Sequence, residues 1–435
     1  MLTKEENDLL TQTGPGTPCG ELMRRYWQPV ALSDELPPGG APLPVRILSE
    51  DLVLYRDEQG QPGLLGLHCP HRGADLSYGR LEDGDLRCLY HGWLFNTAGR
   101  CLEQPGEPAG STFHERVRHT AYPCREAGGL ILTYMGPGEP PQLPAYDFLD
   151  ATEPYRLAIK LRQDCNYLQA NEGNLDQVHL SFLHRLSDDA IRGTLMSESA
   201  TGSKRAASKL LAEDVCPRIE VQETSFGMRE CVFRRAPEGY YFKIENFVLP
   251  NFAAVPGGTQ GQDGYLVNWH VPIDDTTHWK YMVTFRRSAP LDKERLWNVL
   301  RGDCELLPDG RFSRNRDNRY LQDRAAMAAD YTYAGIGVGF ALHDTWAVEG
   351  QGTVVDRTKE HLGYEDKSVI LMRKLMFQAI RDVQEGRDPP HVVRDPSANR
   401  FPELIVLADV LPTDADWQAY LDERIAARSE APAGV

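Results

Sequence analysis

No apolar run in the 435-residue chain comes near the roughly eighteen to twenty residues that a membrane-spanning helix needs, so no span is expected. The opening stretch, MLTKEENDLL, has neither a basic start nor an apolar core, and it is not expected to be a signal peptide. Positive charge is in short supply: 47 Lys and Arg face 63 Asp and Glu, for a net charge of −16. That balance disfavours nucleic acid and anionic membranes as partners. A small anionic ligand stays open, because it responds to the local field of its pocket. Paired cysteines are also missing. The nine cysteines stand at 19, 69, 88, 101, 124, 165, 216, 231 and 304, and only 69 and 88 belong to a recognisable pattern. Reduced thiols in a cytoplasmic compartment are therefore expected. There is no internal repeat, and the length allows two or three domains with cores of their own.

What is present begins with Cys69-Pro-His71 and Cys88-Leu-Tyr-His91, inside CPHRGADLSYGRLEDGDLRCLYHGWLF. Each half offers one soft thiolate and one imidazole from a tight loop. This donor set fits a Rieske 2Fe–2S cluster, in which two histidines replace two cysteines on one iron and raise its potential. A zinc site would use the same ligand types. Zinc pairs more often read Cys-x-x-Cys with His-x(3–5)-His, so the asymmetric spacing favours the cluster. Zinc is the alternative, and it predicts a colourless protein.

Residues 4–27 predict two short helices broken at Gly14-Pro15-Gly16, with Thr17 as N-cap and Pro18 at the first helical position. From about Val45 to Tyr134 the texture is short strands and turns: VRIL, DLVLYRD, GLLGLHC, LRCLYH and GGLILTYMG. Gly136 to Pro144 marks a boundary. Beyond it, RIEVQETSFGMRECVFRRAPEGYYFKIENFVLP predicts antiparallel strands turning near Pro237-Glu238-Gly239, continued by YLVNWHVPI and WKYMVTFRR. Residues 313–332 and 366–385 predict helices, the second with Val369, Met372, Leu375, Met376, Ala379, Ile380 and Val383 on one side. The expected fold class is α+β: an all-β Rieske 2Fe–2S domain, then a catalytic domain with an antiparallel sheet flanked by helices, of the helix-grip type.

A second constellation lies in that later domain, at Asp176, His179 and His184. Two imidazoles and a carboxylate are the parts of a facial triad that leaves positions open on non-haem iron. On a regular helix, residues five apart point about 140° away from each other. His179 and His184 can share a metal only if the helix bulges, tightens or ends between them. Asp176 is spaced to reach His179 from behind. A surface helix with two incidental histidines is the plainer alternative. The third ligand is open on chemistry alone, since Asp344, Glu349, Asp356 and Glu360 are all carboxylates in one segment.

These motifs together resemble the oxygenase component of the Rieske non-haem iron aromatic oxygenases, in the branch of phthalate dioxygenase and the vanillate-type O-demethylases. The resemblance is carried by Asp176-x-x-His179-x-x-x-x-His184, RRYWQPV at 24–30, Asn166-Tyr-Leu-Gln169, Gly173, SFLH at 181–184 and HDTWAVEGQGTVVDRTKEHLG at 343–363. It runs from about residue 5 to 385. It implies one Rieske cluster on Cys69, His71, Cys88 and His91, and one mononuclear Fe(II) on His179, His184 and Asp344, with no flavin bound to this chain. Trp346 departs from the small residue the family places there. The resemblance also implies electrons from an NADH-dependent flavin/iron–sulfur reductase. Asp176 would link His179 to His91 of a neighbouring subunit's cluster, which calls for a homotrimer or a higher ring multiple. The domains expected are 1–40, helical and packed on the catalytic domain; 41–137, the cluster; 138–425, the iron domain; and 426–435, a flexible tail.

The activity this implies is O₂-dependent dihydroxylation of an aromatic acid, phthalate-like. The alternative is a monooxygenase that O-demethylates or hydroxylates an aryl ether or methoxybenzoate; a pure electron carrier is more remote. An acidic substrate asks for cations in its pocket. Arg205, Arg218 and Lys243 are the candidates, each more readily read as a surface charge, with Trp346 as a pocket wall or core filler.

Overall fold

The computed structural model describes residues 1–191, 207–257 and 263–430. The chain starts with Lys4–Thr11, closed by a capping box between Thr3 and Glu6. Pro18–Arg24 follows, capped by Thr17 with proline at its start. Pro18–Arg24 packs on the long helix Lys367–Gln384, and Asn7 receives a hydrogen bond from Arg357 at 3.1 Å.

Trp27–Leu32 then pairs antiparallel with Leu130–Tyr134. Between these two strands lies the cluster unit, built of two four-stranded sheets. One contains Leu43–Ile47, Glu50–Arg56, Pro62–Gly66 and Ala121–Tyr122; the other Arg80–Glu82, Asp85–Arg87, Leu94–Phe95 and Cys101–Glu103. Val53, Tyr55, Leu65, Leu76, Leu86 and Phe95 are fully buried between them. LRCLYH was expected as one strand, but the strand stops at Arg87 and Cys88 opens a turn.

The second domain holds an eight-stranded antiparallel sheet. Its order is Arg156–Gln163, His278–Phe285, Leu266–Pro272, Phe252–Val255, Gly239–Val248, Gly227–Ala236 and Arg218–Thr224, with Leu407–Leu411 paired beside Gly239–Val248. The two-residue period sorts its side chains. Phe242 and Ile244 face the last helix, Trp417–Glu430, whereas Tyr241, Lys243 and Glu245 face an internal cavity. Lys367–Gln384 buries Val369, Met372, Met376, Ala379 and Ile380 against the rest of the core, the face its periodicity predicts. No helix among the described residues is long and apolar enough to cross a membrane.

Two further expectations give way. Residues 313–332 do not form one helix: a short 3-10 segment, Arg316–Leu321, precedes the helix Arg324–Ala328. Asn315 and Asp323 cap backbone N–H groups, and Arg319, Tyr320 and Leu321 take φ of 53°, 56° and 46°, which a continuous right-handed helix excludes. The last helix also runs through Glu430, into the segment expected to be a loose tail; residues 431–435 lie outside the described residues.

Candidate metal centres

The cluster loops share one construction. Cys69 N–H donates to Ala74 O at 2.8 Å and Gly73 N–H returns to Cys69 O at 2.8 Å. In the second loop Cys88 N–H donates to Trp93 O at 2.9 Å and Gly92 N–H to Cys88 O at 3.0 Å. Gly73 and Gly92 close these turns at φ of +76° and +74°, which any side chain would strain. The thiols of Cys69 and Cys88 are buried, while the imidazole of His91 is exposed. The rings of His71 and His91 stand 4.4 Å apart, and His71 stacks on Trp93. His71 Nδ1 is buried with no hydrogen-bond partner among the described residues. Two adjacent buried thiols and an unpartnered imidazole nitrogen suit a cationic centre with sulfur on its inner side and nitrogen on its outer side. The residues fit a Rieske cluster.

At the second centre, the helix His179–Phe182 is a single turn. Leu183 N–H donates to His179 O, and Arg185 N–H then reaches Phe182 O at 2.9 Å. The helix tightens and ends between the histidines, which lets both rings converge. His184 Nε2 lies 2.9 Å and His179 Nε2 3.8 Å from Asp344 Oδ1. One ligand atom from each of the three residues lies within 4.8 Å of the others. Asp344 comes from the helix Phe340–Gly350, far away in the chain.

Neighbours set the ring orientations. His343 Nε2 faces Gly337 O at 3.0 Å, so it carries the proton and leaves Nδ1 bare. That nitrogen accepts from His184 Nδ1 at 3.2 Å, which leaves His184 Nε2 free to ligate. Phe340 stacks on the same ring at 3.7 Å. His179 Nδ1 has no hydrogen-bond partner among the described residues and lies 3.8 Å from Asp176 Oδ1, which itself accepts from Val178 and His179 N–H. Burial pushes the Asp344 carboxyl up, but His184, Lys280 and His179 outweigh it and hold it well below the usual carboxylate range. Burial likewise opposes ionisation of Asp176, yet the His179 side chain and backbone bring it down to about 2. The triad fits a divalent iron with open positions.

The other acids are engaged elsewhere. Glu349 accepts from Asp164 N–H at 2.8 Å and from the Tyr320 hydroxyl. Asp356 accepts from Thr358 at 2.6 Å, and Glu360 pairs with Arg373. Arg357 and Arg373 both grip Glu172, at 2.6 and 2.7 Å, tying the helix Tyr167–Asn174 to the C-terminal segment.

The triad opens into a cavity lined by apolar Leu180, Met282, Leu296 and Leu300. Lys243 lies on its wall, paired with Glu245 at 2.8 Å. Two other substrate candidates lie elsewhere. Arg218, on the strand at the edge of the sheet, is exposed, stacked over Phe233 and near Glu220. Trp346 is 36% exposed and does not line the cavity, because its position on Phe340–Gly350 is turned from that of Asp344. Arg205 lies outside the described residues. Sequence reasoning missed Lys280, Asn268 and His343. The signal for the first two was a polar residue at alternate positions of otherwise apolar strands, in WKYMVTFRR and YLVNWHVPI.

Comparison with known proteins agrees with this geometry. Residues 26–120 match the Rieske [2Fe-2S] domain family, and residues 133–432 match the family described as LigXa C-terminal domain like. The chain is 34% identical to the phthalate 4,5-dioxygenase oxygenase subunit of Pseudomonas putida, over 97% of this chain and 95% of that protein. It is 32% identical to the 5,5'-dehydrodivanillate O-demethylase oxygenase subunit of Sphingobium sp. (strain NBRC 103272 / SYK-6), over 92% of this chain and 85% of that one. The terminal oxygenase of carbazole 1,9a-dioxygenase from Nocardioides aromaticivorans IC177 shares the fold, with a TM-score of 0.58 at 19% identity over 87% of this chain and 100% of that chain.

These findings define an oxidoreductase that incorporates O₂ and carries one Rieske 2Fe–2S cluster and one mononuclear iron per subunit. The chain belongs to the Rieske non-haem iron aromatic oxygenases, as an oxygenase component in the branch of phthalate dioxygenase and the vanillate-type O-demethylases.

Proposed function

We propose that this oxygenase dihydroxylates an aromatic acid of the phthalate type, with Cys69, His71, Cys88 and His91 holding the cluster and His179, His184 and Asp344 holding the iron. The observation that carries the substrate class is Lys280. Its ammonium is buried, 2% exposed, and faces the cavity with Asp344 Oδ2 as its ion-pair partner at 3.6 Å. The Lys243 and Glu245 charges cancel, so Lys280 and a divalent ion outweigh Asp344 and Asp176 and leave the cavity net positive. An anionic ring substituent is attracted there, and Lys243 offers a second contact on the wall. The cavity measures about 170 Å³. Pockets for drug-sized ligands run to roughly 300–1,000 Å³, so a single substituted ring is the better fit. Leu180, Met282, Leu296 and Leu300 clamp its apolar faces and exclude water.

Iron bound by the triad supplies dioxygen activation, while the protein fixes the substrate's distance and orientation. Asp176 is the proposed electron bridge. Its side chain is 41% exposed although one oxygen holds two backbone N–H groups, so it can reach another molecule. The bridge runs from there to His91 of a neighbouring subunit, in a homotrimer or a multiple of one. A ferredoxin or flavin reductase drawing on NADH delivers electrons to the cluster.

A second reading, O-demethylation of a methoxylated aromatic, is favoured by the similarity to the dehydrodivanillate O-demethylase subunit. A panel of aromatic acids and aryl ethers, incubated with reductase and NADH and scored for oxygenated product, separates the two. Diol from a phthalate-type acid supports the first; phenol plus formaldehyde supports the second. No product from any aromatic acid would remove the substrate class.

A further inference from the structure

A file of buried polar groups runs from the catalytic cavity into the core behind it, and its innermost member fixes the direction of every hydrogen bond. His278 Nδ1 lies 2.7 Å from Cys165 O. A carbonyl only accepts, so this nitrogen carries the proton, and burial keeps the ring neutral, with its pKa down at about 4. His278 Nε2 is therefore bare. His270 Nδ1 lies 3.0 Å from it and must donate, since two bare nitrogens would repel. Gln163 Oε1 lies 2.8 Å from His278 Nε2, with the amide nitrogen 2.9 Å from Thr345 Oγ1; the bare ring nitrogen calls for the amide in its other orientation, with the Thr345 hydroxyl then donating to Oε1.

With its proton on Nδ1, buried and neutral His270 has a bare Nε2. Asn174 meets that nitrogen with Nδ2 at 2.8 Å, which turns Asn174 Oδ1 outward. Asn268 Nδ2 then donates to Asn174 Oδ1 at 3.2 Å. What remains is Asn268 Oδ1. It is a buried carbonyl oxygen without a hydrogen-bond partner among the described residues, on a side chain 5% exposed that lines the cavity. Of the cavity-lining side chains, only it and His179, which faces Asp176, hold such an atom among the described residues. A buried acceptor without a donor costs about 1–3 kcal/mol.

We propose that Asn268 is a specificity-determining residue, whose carbonyl accepts a hydrogen bond from a hydroxyl group on the substrate ring. This rests on the reading of the cavity as the substrate pocket. The amide cannot turn its NH₂ to the cavity without reversing the file behind it, so the position selects a donor. A hydroxyl satisfies it; a methoxy oxygen, a carboxylate or a bare C–H does not.

The test is titration calorimetry on the fully loaded enzyme under argon. Benzoate is compared with 2-, 3- and 4-hydroxybenzoate and the matching methoxybenzoates, for the native protein and Asn268→Leu. The expected result is one hydroxybenzoate bound on the order of ten-fold tighter than benzoate and than its methoxy counterpart. In Asn268→Leu that preference, read as the ratio of hydroxybenzoate to benzoate affinity, falls to the ratio shown by the methoxybenzoates, whatever the absolute affinities. Should Asn268→Leu fail to assemble, judged by cluster absorbance and melting temperature, Asn268→Ala makes the same comparison. No hydroxyl preference in the native enzyme, or a preference that survives the substitution, overturns the proposal. If the acids do not bind, but phenol binds better than anisole only when Asn268 is present, the anionic reading falls and the role of Asn268 stands. If neither set shows the preference, the role falls too.

Discussion

At the cluster end, the loops Cys69 to Gly73 and Cys88 to Gly92 close on themselves through backbone hydrogen bonds, and all four candidate ligands come from neighbouring turns. At the iron end, His179 and His184 meet Asp344 across most of the second domain. Their orientation depends on side chains from other elements, among them His343, Phe340 and Lys280. The first site is local and rests on glycine turns. The second is assembled by tertiary packing, with buried polar groups that each need a partner. A local site should lose its metal without disturbing the fold; an assembled site should register damage far from the metal.

Removing a cluster ligand gives the largest effect. Cys69→Ser should abolish turnover and the visible absorbance while iron analysis still finds mononuclear iron; loss of both metals together would break the contrast. His184→Ala should also eliminate product, but with cluster absorbance unchanged and iron reduced to that of the cluster. Glu349→Gln, by comparison, should keep its iron, and a loss there equal to that of Asp344→Ala would move the third ligand.

Asp176→Asn should retain both metals and its assembly, yet lose roughly ten- to a hundred-fold in steady-state rate, the usual cost of altering a group behind a metal ligand. Rapid mixing checks this: an unchanged rate of cluster oxidation with substrate and O₂ would rule out the bridge.

The Glu172 pair sharpens the assembled half. Burial opposes its charge, but Arg357 and Arg373 prevail and lower its pKa, so its contribution is complete above the ordinary glutamate value of about 4.3. That contribution is lost as pH falls through the lower folded value. Glu172→Ala leaves the buried Arg357 without an ion-pair partner and Arg373 with Glu360 alone, and should cost about 3 kcal/mol at neutral pH. Melting curves from pH 7 to 3 should show the difference from the native protein shrinking at the acid end.

The smallest effect belongs to the loops. Gly73→Ala has open space for its Cβ and should cost only the strain of positive φ, about 1–2 kcal/mol. Gly92→Ala adds a 3.2 Å approach to Pro105 Cγ and should cost more. Equal melting temperatures for the two would show that the contact relaxes freely.

The same contrast explains what was legible from the amino acids alone. The cluster loops, the strands around them and the apolar face of Lys367–Gln384 are written in adjacent residues, so pattern and spacing reach them. The sheet's alternation was readable too, as in the hairpin joining Gly227–Ala236 to Gly239–Val248. Which of several acids joins the two histidines is decided by where Phe340–Gly350 packs, and spacing holds no trace of that. Lys280 and Asn268 were hidden for the same reason: each is one polar letter in an apolar strand until the opposite wall is in place. Arg218 failed as a pocket cation because its strand lies at the edge of the sheet, where a guanidinium reaches solvent and the ring of Phe233. Residues 313–332 failed as a helix because their Asn and Asp side chains bind local backbone in preference to leaving it to helical turns.

The strand pair Trp27–Leu32 and Leu130–Tyr134 has a meaning for how such a molecule can be rebuilt. Trp27 stands opposite Tyr134, so the chain departs for the cluster unit and comes back at a single point. The second of the two helices before that point packs on the second domain and also touches the excursion, where Arg24 meets Leu48 O and Glu50, each at 2.9 Å. The redox module is thus a cassette entered and left through a two-stranded stem and docked on the second domain through Leu48 and Ser49, whose N–H groups donate to Pro272 O and Ile273 O at 2.9 Å. Recombination within that stem can exchange one electron-accepting head for another while the substrate chamber keeps its own lining, which lets partner choice and chemistry diversify separately.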